Sequence, residues 1–401
     1  MPTEKFEFQN DAGHILRGEL HHAPGRPKAV AIFAHCFTCT AKSKAAIAIS
    51  RRLAALGISS LRFDFTGLGE SEGAFGDSNF SSSVDDVIAA ALALEQKLGR
   101  VDLLIGHSLG GTAVLSAALR LPQVKAVATI GAPARAEHVG RLIVENTLST
   151  DGDDIQVELG GQPFTIKRQL FDDLAAQSMP ERVKELRCAL LVMHAPLDNI
   201  VDISNASEIF LEAMHPKSFV SLDHADHLLS KQSDAEYAAD MVATWSRPYI
   251  AAAAAEQAVS ISEHALAETG ERGFVTMLQL AGHELIADEP RDLGGDALGP
   301  SPYDLLSGAL AACTSMTLQM YARHKGLPLE RAITRVRHDK VHATECAECE
   351  TKEGRIDRFD REVELVGPLD HAARKRFLEI ADRCPVHRTL TAGAVVVTSS
   401  R

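Results

Sequence analysis

The stretch Val101-Asp-Leu-Leu-Ile-Gly106-His-Ser108-Leu-Gly110-Gly111 decides how the first half of this chain is read. An apolar run, Val101–Ile105, meets a G-x-S-x-G pattern at Gly106, Ser108 and Gly110, and a helical run follows from Leu109 to about Leu121. Strand, tight turn and helix in that order form a serine elbow. The demand is steric. A serine on so sharp a turn needs small residues two positions away on either side. The turn then presents Ser108 Oγ at the carboxyl edge of a sheet and the amino end of a helix.

Outward from the elbow, short apolar runs alternate with helical patterns. Ala29–Ala34, Ser59–Phe63, Val101–Ile105, Lys125–Ile130, Ala189–Met193 and Ser218–Leu222 are mostly apolar on both faces, as buried parallel strands are. Between them, Val84, Val87, Ile88, Ala91, Leu92 and Leu98 repeat at helical steps. The expectation is a mostly parallel sheet with helices on both faces.

Serine needs a base, and the base needs an orienting carboxylate. In this kind of fold the chain order is serine, acid, histidine. Asp198 lies just past the strand Ala189–Met193, with Asp202 as its rival. His227 and His224 both follow the strand Ser218–Leu222. His227 stands directly before an apolar helix start, which suits a ring reaching back over the sheet edge; His224 and Asp223 read as solvated loop residues. The amide of Leu109 is one expected oxyanion donor, and the loop after Ala34 supplies the other.

These pieces, His35-Cys36-Phe37, Phe63 to Ser71 (FDFTGLGES), GHSLGG, LDNIV and DHADHLL, closely resemble the α/β-hydrolase family. The resemblance implies cleavage of an ester, thioester or amide through an acyl-serine, with Phe37 as the second oxyanion donor. The family usually has glycine where this chain has Cys36. Residues of about 132–187 fall between two strands, where the family often places a cap that selects the substrate.

The pattern changes after Trp245. Residues 1–246 are taken as the hydrolase domain, the alanine-rich 247–258 as a helical connector, and 259–401 as an α+β domain. The last is expected to hold a strand-like start (Gly273–Ala281), a long helix from near Tyr303, two β-like segments (Ile333–Val341, Asp357–Val366), a helix (Asp370–Asp382) stopped by Pro385, and a final strand (Gly393–Thr398). Cys313 is placed on the inward face of the long helix with Leu306, Leu310 and Met320. GGDALGPSPYDLL, AACTSMTLQMYA and RCPVHRTL closely resemble the OsmC/Ohr family of organic-hydroperoxide reductases. The resemblance implies a peroxidatic Cys313, a resolving Cys384, a dithiol reductant and an intertwined homodimer through residues 259–401. The family's thiolate-activating glutamate is replaced here by Tyr303 with Asp304 beside it. Arg272 and Arg291 are the candidates for its arginine. The whole chain thus reads as an α/β-hydrolase fold followed by an α+β OsmC-like domain, with the second domain either a thiol peroxidase or a platform for dimerisation and substrate access.

His338, His342, Cys346 and Cys349 have a spacing that could hold zinc, but His338, Lys340 and His342 also alternate as on an exposed strand, and no metal or other cofactor is expected. Cys36 and Cys39 form a C-x-x-C pair within the oxyanion loop. The 401 residues allow two to three domains by length, and 45% hydrophobic with 24% charged residues is a globular composition. The net charge of −13 argues against general binding to nucleic acid or anionic membrane. The sequence shows neither an uninterrupted apolar span nor the plan of a signal peptide. Seven cysteines, an odd number, argue against a disulfide framework and fit a cytoplasmic enzyme acting on small molecules.

Overall fold

The computed structural model describes residues 3–36, 40–134, 147–151, 154–159, 162–167, 173, 179–254, 265–271, 273–342 and 355–399. They divide into two compact units, 1–284 and 285–401.

The first unit is built on an eight-stranded sheet. Its strands are β1 (Thr3–Gln9), β2 (Ile15–His21), β3 (Ala29–Ala34), β4 (Ile58–Phe63), β5 (Leu103–His107), β6 (Ala126–Ile130), β10 (Ala189–His194) and β11 (Lys217–Ser221), in the order β1-β2-β4-β3-β5-β6-β10-β11. β1 and β2 pair antiparallel, as do β2 and β4; the rest is parallel. The parallel strands lie within two residues of their expected bounds. The two N-terminal strands were not expected.

The apolar runs divide residue by residue between the two faces of the sheet. Ile32, Leu104, Val127 and Val192 pack on one side with α2 (Phe80–Leu98) and α3 (Leu109–Ala118). Phe33, Ile105, Ala128 and Met193 pack on the other with α1 (Lys44–Ala55) and α6 (Gln232–Ala254). α2 starts on a reciprocal cap between Asn79 and Ser82 and ends at Gly99, whose φ of 76° is the left-handed conformation that lets the chain leave a helix. Within the segment expected to form a cap, β7 (Thr147–Asp151), β8 (Asp154–Leu159) and β9 (Gln162–Lys167) make a small antiparallel sheet, followed by α4 (Met179–Val183). α5 (Ser204–Glu212) joins β10 to β11.

The expected connector is, as far as Ala254, the continuation of α6, and Ile250 is buried in the core against the sheet. Alanine's helix preference is thus spent extending the last helix of this unit. Further strands follow at β12 (Leu266–Thr269), β13 (Thr276–Leu280) and β14 (His283–Ala287).

In the second unit the long helix is α7 (Pro302–Lys325), capped by Ser301 and Asp304 and closed by left-handed Gly326. β15 (Arg331–His342) and β16 (Arg355–Val366) form a twelve-residue antiparallel ladder. Leu318 and Ala322 of α7 pack with Phe377, Ile380 and Ala381 of α8 (His371–Ala381). Three expectations are corrected here. Pro385 does not only end a helix: with Cys384 as N-cap it opens a new one, α9 (Pro385–Ala392), because its fixed φ suits the first helical position. The expected strand Gly393–Thr398 pairs with no strand among the described residues, and Val395, Val396 and Val397 are 93, 87 and 86% exposed. Met320 is 70% exposed, and the inward face of α7 runs through Leu310, Thr314 and Leu318 instead.

Candidate active site

Ser108 stands between β5 and α3 with φ 54° and ψ −126°, a conformation a side chain rarely adopts. Such strain persists only where its surroundings enforce it. Here they are close. A Cβ at Gly106 would run into the backbone of Gly110 and Gly111, and one at Gly110 into the carbonyls of Ala34 and His35. The two glycines of the motif are therefore required, Gly106 by the close start of α3 and Gly110 by the end of β3 and His35. The Ser108 amide donates to the Ile130 carbonyl at 2.8 Å, tying the elbow to the end of β6.

Asp198 lies beyond the end of β10, its side chain 1% exposed. Its Oδ1 accepts the amides of Ile200 and Val201, each at 2.9 Å. Its Oδ2 accepts from His227 Nδ1 at 2.7 Å. Burial alone would raise this carboxyl's pKa, but the His227 and Val201 hydrogen bonds outweigh it and hold the group below its ordinary value. A proton on His227 Nδ1 leaves Nε2 as the bare nitrogen, the state a general base requires. His227 is 5% exposed, and a Cβ on Gly131, next to Ile130, would sit 3.3 Å from its ring. The end of β6 thus holds the Ser108 amide on one residue and the imidazole against the next. The rivals stand elsewhere: Asp202 accepts the Ser204 amide at 2.8 Å near the start of α5, and His224 is exposed.

Two further histidines surround this pair and were not singled out by the sequence. His107 Nε2 donates to the His227 carbonyl at 2.7 Å, and burial pulls its pKa down to about 4, so it is neutral. His194 Nε2 donates to the Val201 carbonyl at 2.8 Å and lies 3.5 Å from Asp198 Oδ2; burial lowers its pKa too.

Leu109, whose amide is the expected oxyanion donor, is 5% exposed and lines a narrow cleft with His35, Phe65, Leu68, Phe75 and Ala113. Phe37 and Cys39 lie outside the described residues. Cys36 is buried and disulfide-bonded, where a free, redox-active or metal-bound thiol was expected.

In the second unit Cys313 is half-buried and Cys384 is fully buried, both as free thiols in contact with each other. Burial pushes Cys313 up, with Cys384 adding to it. Burial also acts to raise Cys384, but the Cys313 thiol, the His387 and Val386 amides at the start of α9 and the Thr314 side chain pull it below its ordinary value. Asp304 lies in a helix cap rather than beside Cys313. Its Oδ2 accepts the Ser301 amide at 2.9 Å and hydroxyl at 2.7 Å in the cap of α7, nine residues and roughly 13 Å of helix before Cys313. Arg291 is exposed on a turn, Arg291–Leu293. Arg272 lies outside the described residues, as do Cys346, Cys349 and the His342 side chain. His338 Nε2 donates to Asp357 Oδ1 at 2.8 Å, and its ring stacks on Tyr303 with centroids 4.1 Å apart. Among the described residues no group of three potential metal ligands forms, and no helix is long and apolar enough to cross a membrane.

Comparison with known proteins agrees with both halves. Residues 25–149 match the family described as serine aminopeptidase, S33, and residues 294–400 match the OsmC-like protein family. The esterase domain of a Rhodothermus marinus protein is 44% identical, is covered over its full length by 62% of this chain, and superposes with a TM-score of 0.53. The chain belongs to the α/β-hydrolase family. It is an enzyme of the serine hydrolase class, and an OsmC-like region follows its hydrolase fold. Est1E from Butyrivibrio proteoclasticus, solved with ferulic acid, shares the fold at 21% identity, 61% of this chain, 99% of its own and a TM-score of 0.54. A curated relative, rat palmitoyl-protein thioesterase ABHD10, is 23% identical over 51% of this chain and 70% of its own length.

Proposed function

We propose that this hydrolase cleaves an ester or thioester of a small acyl group through an acyl-serine. His227 Nε2 takes the Ser108 proton as Oγ attacks the carbonyl carbon, and the amides of Leu109 and Phe37 receive the oxyanion. His227 returns the proton to the departing alcohol or thiol. A water then repeats the attack and releases the acid. The observation that carries this reading is the 2.7 Å bond from His227 Nδ1 to a buried, ionised Asp198, on the sheet edge that bears a strained Ser108. The esterase relative and the thioesterase relative support the bond class. The cleft beside Leu109 favours a short or flat acyl group. Ser108→Ala is expected to abolish turnover of a short acyl ester with the fold intact; unchanged turnover overturns the assignment.

The OsmC-like region is proposed to reduce organic hydroperoxides with a dithiol. Exposure sets the order of events: Cys384 is sealed, so Cys313 meets the peroxide and Cys384 resolves it. The exposed valines 395–397 favour a homodimer through residues 259–401 in which a second copy pairs with this segment. A second reading, that the region only dimerises and shapes access to the hydrolase, is favoured by Tyr303 in the place of the activating glutamate and by Asp304 held in a helix cap. Titrating free thiols before and after one equivalent of organic hydroperoxide separates them: loss of two thiols supports the peroxidase, no loss the platform. Cytoplasmic residence is part of the proposal on the strength of the free Cys188, Cys313 and Cys384 thiols, and the Cys36 disulfide is the feature that argues against it.

A further inference from the structure

Arg361 is a charge placed where β16 calls for an apolar residue. Along this strand Phe359, Arg361, Val363 and Leu365 alternate inward, and the Arg361 side chain is only 13% exposed. A cation held there must have its donors satisfied. Its Nη1 donates to Thr314 Oγ1 at 3.2 Å and to the Ala381 carbonyl at 3.0 Å. Its Nη2 donates to Asp382 Oδ1 at 2.5 Å. These acceptors belong to two elements, and each neighbours a thiol. Thr314 is the residue after Cys313, is fully buried, and its side chain lies against the Cys384 thiol. The Ala381 carbonyl also accepts the amide of Cys384 at 3.3 Å.

We infer that Arg361 is a positioning residue that braces the Cys313-bearing turn of α7 and the Cys384-bearing end of α8 at the separation disulfide formation needs. The inference rests on Cys313 and Cys384 being a reacting pair. The planar guanidinium suits the task because one group presents several donors in fixed directions, which a lysine cannot do. The step it serves is the second one. In the first, the Cys313 sulfur attacks the outer peroxide oxygen, the O–O bond breaks, the alkoxide takes a proton and leaves as alcohol, and the sulfur becomes a sulfenic acid. In the second, the Cys384 sulfur attacks the Cys313 sulfur, the S–S bond forms, and the hydroxyl leaves as water with the Cys384 proton. A dithiol then reduces the disulfide by two exchanges. Holding two sulfurs in bonding geometry raises their effective concentration without altering either thiol's chemistry.

The test sets the full-length protein against mixtures of oxidised and reduced dithiothreitol and measures, by peptide mapping, the fraction carrying a Cys313–Cys384 disulfide. Arg361→Gln is expected to shift that equilibrium at least tenfold toward the thiols, with Arg361→Lys recovering part of the shift. Turnover at Ser108 and the melting profile serve as controls for folding. Should Arg361→Gln unfold the second unit, Thr314→Val removes one acceptor of the brace and is expected to shift the equilibrium two- to fivefold. With hydroperoxide, Arg361→Gln is expected to keep its first step and accumulate a dimedone-trapped sulfenic acid at Cys313. A folded Arg361→Gln or Thr314→Val protein with the wild-type equilibrium overturns the inference. The dithiothreitol arm needs no peroxide. A wild type inert to hydroperoxide that still forms the disulfide removes the peroxidase reading and leaves the brace to be judged by the variants. A wild type that forms no such disulfide overturns both.

Discussion

His107 joins the turn that bears Ser108 to the loop that bears His227, and its removal tests whether that joint sets the proposed catalytic geometry. The residue directly before Ser108 donates through Nε2 to the backbone carbonyl of His227 at 2.7 Å, inside the core. His107→Ala leaves that carbonyl without its donor, which costs about 1–3 kcal/mol. If half or more of this appears in the transition state as a misplaced imidazole, kcat/KM falls by roughly two- to a hundredfold. His107→Gln keeps a donor and is expected to restore much of the activity. The pH dependence gives a second reading. His107 has its pKa lowered by burial from 6.5 to about 4. Between those values the unfolded chain binds the proton and the folded one does not. Stability therefore falls as pH drops from 6.5 toward 4, by about 3 kcal/mol in all from this residue. Denaturant unfolding of wild type and His107→Gln at pH 7 and pH 5 measures this, since glutamine does not titrate. Equal kcat/KM in all three proteins, or an unchanged acid slope in the glutamine variant, would refute the reasoning.

Other consequences are as direct. Asp198→Asn removes the charge that fixes the His227 tautomer and is expected to lower kcat by about a hundred- to ten-thousandfold with KM little changed, measured on a short acyl ester. Gly110→Ala drives a methyl into the carbonyls of Ala34 and His35; a loss of about 1–3 kcal/mol in unfolding experiments is expected, together with loss of turnover. Ala113→Leu fills the cleft between Leu109 and Phe65, so a panel of acyl esters is expected to show its chain-length preference move shorter than wild type.

What the sequence revealed follows physical range. Gly106, Ser108 and Gly110 were legible because the elbow's steric demand is met by residues two apart. The places of Asp198 and His227 were legible because buried parallel strands announce themselves and both residues follow strand ends. Strands β1 and β2 were missed: only Phe6 and Phe8 of β1 and Leu16, Leu20 and His21 of β2 are buried, a weaker signal than an apolar run. The run Val395–Val397 was read as a strand from its own propensity, although pairing needs an edge and among the described residues none pairs with it. The parts played by His107 and Arg361 depend on hydrogen bonds across 120, 47, 20 and 21 positions of sequence, which no local pattern encodes. Asp304 shows the reverse case. Its place beside Tyr303 drew a catalytic reading, while the local geometry of Ser301 and Asp304 is that of a helix cap.

The central claim is that Ser108 is the atom-bearing centre of catalysis, and covalent labelling tests it most directly. Treating the full-length protein with a fluorophosphonate and mapping the adduct by mass spectrometry is predicted to place one label per chain on Ser108, with ester turnover lost in step, and none on Ser108→Ala. A label on another residue, or a Ser108→Ala protein that still turns over ester at the wild-type rate, would contradict the account.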